Sequence, residues 1–127
     1  MFRVCLASAT AFSALVLAPA TAQAPVPTAQ VIQVRSFAFD PTPIHLVAGK
    51  PVTLTFQNVS GGGHDFTAKE FFAASRITAG AAPDGEIELK GHETKTITLV
   101  PAAGTYNAHC SHFLHASMGM HTQILVS

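Results

Sequence analysis

Between positions 109 and 121 the chain places four of its seven histidines, two of its three methionines and one of its two cysteines. The stretch reads His109-Cys110-Ser111-His112-Phe113-Leu114-His115-Ala116-Ser117-Met118-Gly119-Met120-His121 and contains no carboxylate. A second, smaller feature is Asn58-Val59-Ser60-Gly61-Gly62-Gly63-His64-Asp65-Phe66, a glycine-rich loop that leaves a strand-like segment and ends at a histidine. Thiolate, thioether and imidazole donors suit a soft or borderline transition metal, whereas calcium and magnesium take oxygen ligands. Copper and zinc are the ions that remain. Two imidazoles and a thiolate with a long axial thioether are the donor set of an electron-transfer copper centre. Structural zinc draws instead on further Cys or His in closely spaced pairs, so the composition favours copper.

The other cysteine, Cys5, belongs to a segment of different character. Met1-Phe2-Arg3 gives a short positive start, Val4 to Ala18 is almost wholly apolar, and Ala20-Thr21-Ala22 offers small residues at the positions a signal peptidase reads. Residues 1–22 therefore read as a secretory signal peptide, and the alanine-rich leader points to a bacterial periplasm. The apolar run is shorter than the roughly 20 residues of a bilayer crossing and stops at Pro19, so no membrane insertion of the mature chain is expected. Cleavage leaves Cys110 as the only thiol in an oxidising compartment, where cysteines normally pair. A lone cysteine is most simply a buried, inert thiol. The donors around Cys110 make a metal-bound thiolate the better explanation.

These side chains need a scaffold, and the remaining sequence describes one built from strands. Val52, Leu54 and Phe56 alternate with Thr53, Thr55 and Gln57, and Ile97 and Leu99 alternate with Thr96 and Thr98, the period-two signature of half-buried strands. Further strands are expected over Ala29–Phe39, Ile44–Val47, Glu86–Lys90, Glu93–Val100, Thr105–Cys110 and Thr122–Val126, separated by Gly and Pro turns. About seven short strands predict an all-β, two-sheet sandwich. Lys69 to Arg76, with Phe71 and Phe72, suggests one helical insertion near 68–77. The expected organisation is a signal peptide over 1–22, a flexible arm over 23–29 and one copper-binding domain over 30–127.

Composition narrows the function. Lys+Arg and Asp+Glu balance at 7 each, and only 11% of residues are charged, which excludes the dense cationic surface that nucleic acid requires. A hydrophobic content of 48% rules out a disordered chain. At 127 residues one domain is expected, too small for a multidomain enzyme.

Within such a sandwich the loop after Cys110 can turn His115 and Met120 toward the thiol while His64 arrives on a separate loop. Spacing leaves two alternatives open: His112 lies nearer Cys110 than His115 does, and Met118 competes with Met120. His109 neighbours Cys110 on a strand, so its side chain is expected on the opposite face and outside the coordination set. His45 and His92 read as surface or turn histidines, Met118 and Tyr106 as packing residues, and Phe66, Phe113 and Leu114 as core or as an apolar collar that limits water near the metal.

The Phe39-Asp40-Pro41 to Gly49-Lys50-Pro51 lead-in, the strand ending at Asn58, His64 and the run Cys110-x4-His115-x4-Met120 resemble the cupredoxins, small blue copper proteins of the plastocyanin, pseudoazurin and azurin type. The resemblance spans essentially the whole chain after the leader. It implies a Greek-key β-sandwich with one copper ion cycling between Cu(I) and Cu(II), held by His64, Cys110, His115 and axial Met120, with Gly119-Met120 ahead of the last strand matching the family. Many members have Asn after the first histidine to tie the two ligand loops. Here Asp65 stands in that place and is expected to accept a hydrogen bond from Ser111. Phe113-Leu114 replaces a frequent Pro-Gly.

The function expected is an exported, monomeric one-electron carrier, not an enzyme, that meets a redox partner protein through His115. The alternative is a periplasmic copper-binding or delivery protein that hands its ion to a copper-accepting protein. The surplus His109, His112, Met118 and His121 motivate it.

Overall fold

The alternating segment around Leu54 becomes strand β4 (Val52–Asn58), with Val52, Leu54 and Phe56 buried and the intervening threonines facing outward. It is the central strand of one five-stranded sheet in a computed structural model that describes residues 16–113, 115 and 117–127. β1 (Thr28–Arg35) pairs with β4 in parallel, and β8 (Thr94–Val100) pairs with it antiparallel. β2 (Ala38–Asp40) and β6 (Arg76–Ala79) form the edges, giving the order β2-β1-β4-β8-β6. The second sheet contains β3 (Ile44–Leu46), β5 (His64–Thr67), β7 (Glu86–Leu89), β9 (Gly104–His109) and β10 (His121–Val126) in the order β3-β10-β9-β5-β7. The parallel pairs β1–β4 and β3–β10 arise from crossovers in a Greek-key sandwich; the two sheets were expected from the strand pattern and the Greek key from the resemblance.

The inner faces meet in one apolar core. Ile32, Leu54, Phe56, Ile97 and Leu99 come from the first sheet, and Ile44, Phe66, Leu89, Ala108 and Ile124 from the second. Phe56 and Phe66 touch between the sheets with ring centroids 4.7 Å apart, and Phe39 meets Phe66 edge-on at 5.3 Å. Each such ring contributes about 1.5–3 kcal/mol through burial. Helix α1 (Lys69–Ala74) buries Phe71 and Phe72, which pack on Tyr106 and Phe66 respectively. The Tyr106 hydroxyl donates to the Ala102 carbonyl at 3.0 Å, so this residue packs and braces a turn.

Four local expectations change. The strand expected over Ala29–Phe39 is two strands, because the chain turns at Ser36-Phe37, with Phe37 in the left-handed region at φ 62°. Its first residue is Thr28, in register with Val52, so regular structure begins two residues before the expected domain start at 30. The helix stops at Ala74, since Ser75 is extended, and Arg76–Ala79 continues as an edge strand on β8. His64 opens a strand that alternation did not reveal, because all four residues of β5 are buried. Residues 16–27 carry no regular element and are exposed, while Cys5, residues 1–15 of the expected leader, and Leu114 lie outside the described residues. Among the described residues no helix is long and apolar enough to cross a membrane.

Candidate metal centre

His64 is placed by the loop before it, and that loop is shaped by one buried amide. Asn58 Nδ2 donates to the carbonyls of Gly62 at 2.8 Å and Lys90 at 2.9 Å. Its Oδ1 accepts from Ser60 N–H at 3.0 Å and from the Ser60 hydroxyl at 2.8 Å. Every hydrogen-bonding position of the Asn58 side chain is thus used on this loop and the facing β7–β8 turn. Close backbone approach requires glycine there, since a Cβ on Gly91 would lie 2.2 Å from the Gly61 carbonyl oxygen. The result delivers His64, 3% exposed, at the start of β5.

Cys110 follows β9, and the loop after it is folded back by backbone bonds. His115 N–H donates to the His112 carbonyl at 3.0 Å, Met118 and Met120 N–H donate to the His115 carbonyl at 3.2 and 3.0 Å, and Cys110 N–H donates to the Met120 carbonyl at 3.1 Å. Gly119, at φ 93°, takes a left-handed conformation that L side chains avoid and turns the chain into β10. Met120 is completely buried, while Met118 is 59% exposed and so does not pack in the core.

Three donor atoms converge. His64 Nδ1 lies 3.2 Å from His115 Nδ1, and Cys110 Sγ lies 3.3 Å from His115 Nδ1 and 4.0 Å from His64 Nδ1. The point equidistant from the corners of that triangle is about 2.1 Å from each, within the metal–nitrogen and metal–sulfur bonding range of about 2.0–2.3 Å. The donor triangle therefore fits a transition-metal ion. These three residues form a compact donor group among the described residues.

Electrostatics prepare the triangle for an ion. Burial lowers the pKa of His64 below its ordinary value of 6.5, helped by repulsion from His115 and His112, so its ring stays neutral with a lone pair to offer. Burial raises the pKa of the Cys110 thiol, opposed by hydrogen bonding from the backbone of Asp65 and His112. The Asp65 N–H to Sγ distance is 3.4 Å. A bound cation inverts that balance and deprotonates a coordinating thiol.

Around the triangle, Asp65 ties the two ligand segments together, as anticipated. Its fully buried carboxylate accepts from Ser111 N–H at 2.8 Å, from the Ser111 hydroxyl, and from the Thr67 hydroxyl at 2.8 Å. His112 is drawn aside, with Nε2 2.9 Å from Glu88 Oε1 and 3.7 Å from Asp65 Oδ2. His109 is exposed on the face opposite Cys110, and His45 and His92 are exposed as well. Phe113 is 88% exposed on the rim, whereas Phe66 is core. Sequence reasoning missed Phe37, whose ring meets the edge of His115 at 5.1 Å. Its only signal was membership of an apolar run, and the turn that aims it is invisible there.

The comparisons agree with this architecture. The family model of the cupredoxin-like domain matches residues 6–126. Among curated proteins none matches the sequence. The fold resembles a dithionite-reduced auracyanin from the photosynthetic bacterium Roseiflexus castenholzii, with a TM-score of 0.59 at 22% identity over 82% of this chain and 99% of that one. It also resembles auracyanin B, with a TM-score of 0.57 at 21% identity over 84% and 93% of the two chains. Auracyanin A of Chloroflexus aurantiacus, described as a "blue" copper protein, gives 0.55 at 23% identity over 78% and 99%. With the matching family model, the two-sheet sandwich and the His-Cys-His triangle at one end of it, the chain belongs to the cupredoxin-like family.

Proposed function

We propose that this protein is an exported one-electron carrier in which His64, Cys110, His115 and the Met120 thioether would hold one copper ion. The observation that carries the reading is the donor triangle, whose 3.2, 3.3 and 4.0 Å sides leave a point within metal-bonding distance of all three atoms. Bound there, copper supplies a Cu(I)/Cu(II) couple. The chain's own part is to hold the donors still: Asn58 fixes the His64 loop, Asp65 fixes Ser111 beside Cys110, and the Cys110 N–H to Met120 carbonyl bond closes the ligand loop. A rigid donor set reduces the rearrangement that accompanies a change of oxidation state.

His115 is half-buried, and Phe37, Phe113 and Met118 near it on the chain or in space are exposed. That apolar rim supports contact with a redox partner protein at this end of a monomer. A carrier role is favoured over cysteine hydrolysis because a nucleophilic cysteine requires an accessible, acidified thiolate, and Cys110 is buried with a raised pKa. The leader reading supports a periplasmic location.

Addition of Cu(II) to the purified protein is expected to give one bound equivalent and an intense thiolate-to-copper visible band. Cys110→Ser is expected to abolish the colour. A wild-type protein that stays colourless and copper-free overturns the reading.

A further inference from the structure

Two histidines outside the donor triangle stand opposite each other. In the antiparallel β9–β10 pair His109 is the register partner of His121, and both are exposed on the outer face of the sheet. The Cys110 N–H to Met120 carbonyl bond, one step beyond, identifies His109–His121 as a non-hydrogen-bonded rung. Such rungs bring the two Cα atoms to about 4.5 Å, against about 5.5 Å in the hydrogen-bonded kind, and place the side chains closest. The next rung on the same face is Asn107–Gln123, which adds amides and no charge. A groove of 630 Å³ lined by Thr42, Pro43, Asn107, His109, His121 and Gln123 leaves room beside the pair. Among the described residues neither imidazole is engaged in a hydrogen bond or ring contact, so both can turn toward a shared ion.

Imidazole is the commonest protein ligand for transition metals. With no carboxylate on either rung, the pair selects ions that favour nitrogen, led by Cu(II) with Ni(II) and Zn(II) below it. We propose that His109 and His121 form a second metal site, a two-imidazole clamp on the outer face that takes one such divalent ion, with water completing its coordination. The rung also closes the base of the loop that carries Cys110, His115 and Met120. An ion on the clamp therefore ties β9 to β10 where that loop begins and ends, and couples occupancy of the outer face to the rigidity of the interior centre.

Titration of the copper-loaded protein with Ni(II), followed by calorimetry, is expected to reveal one additional equivalent. His109→Ala and His121→Ala should each weaken that binding at least tenfold, because a single imidazole cannot chelate, and the double variant should be no worse than either single one. His45→Ala and His92→Ala should leave it intact. Repeating His109→Ala in a His115→Ala background should produce the same drop, which separates this clamp from the interior centre and from the carrier reading. Absence of a further Ni(II) equivalent, or Ni(II) binding that survives both single substitutions, overturns the proposal.

Discussion

At His64, burial and two neighbouring imidazoles hold the ring in its neutral form, and this has a consequence for the metal-free protein. The folded pKa lies below 6.5, so as pH falls the unfolded chain takes up a proton at this position first. Stability is thus retained above about pH 6.5 and lost as pH falls through that value toward the folded pKa. The urea midpoint of the copper-free protein is expected to be lower at about pH 5 than at about pH 7.5, and His64→Gln should reduce that difference. An identical pH dependence in the variant would contradict the role of burial at this ring. The same scale shows why four histidines in one stretch were ambiguous. His112 and His115 differ in what faces them, Glu88 and Asp65 for one, Cys110 and His64 for the other, and of these only Cys110 is close along the chain.

Among the elements, β10, β9 and β5 are neighbours in one sheet, and the candidate ligands emerge from one end of this trio. The Asp65 carboxylate joins β5 to the residue after Cys110, so its removal acts on two ligand segments together. Asp65→Ala would leave the Ser111 N–H, the Ser111 hydroxyl and the Thr67 hydroxyl without their acceptor. The expected loss is about 3 kcal/mol in urea unfolding, with a weaker copper site, whereas Asp65→Asn keeps an oxygen acceptor and should cost about 1 kcal/mol. Equal, negligible losses in both variants would show that the tie carries no stability. Strands were legible where alternation is strong, as in β4 and β8, because one face of each is buried. The pattern was not legible for β5, which is buried on both faces, nor at Ser36-Phe37, where a left-handed backbone splits an apolar run.

For the whole molecule, a site assembled from residues as far apart as His64 and Cys110 exists only when β5, β9 and β10 are paired in their sheet, so an ion that binds it binds the folded state. Copper present at about a thousand times its dissociation constant should add about 4 kcal/mol to stability. In a domain of this size that corresponds to a rise of more than about 10 °C in Tm. Scanning calorimetry with copper and with a chelator measures the difference, and His115→Ala should shrink it. A copper-independent Tm would place the ion elsewhere than in a preformed folded centre.

The sequence alone determined the donor chemistry and the scaffold. One cysteine, imidazoles and thioethers in a stretch without carboxylates, and apolar residues repeating every second position are properties of composition and spacing, and they point to a soft-metal site on a β-sandwich. Tertiary structure decided which donors meet. Asn58, Gly61 and Gly91 fix one loop and the bonds among Cys110, His115 and Met120 fix the other, so contacts between remote segments, and not distance along the chain, set the 3.2 to 4.0 Å separations. The same contacts brought Phe37 against His115 and set His109 opposite His121, because a turn and a strand register exist only once the partners across the fold are present.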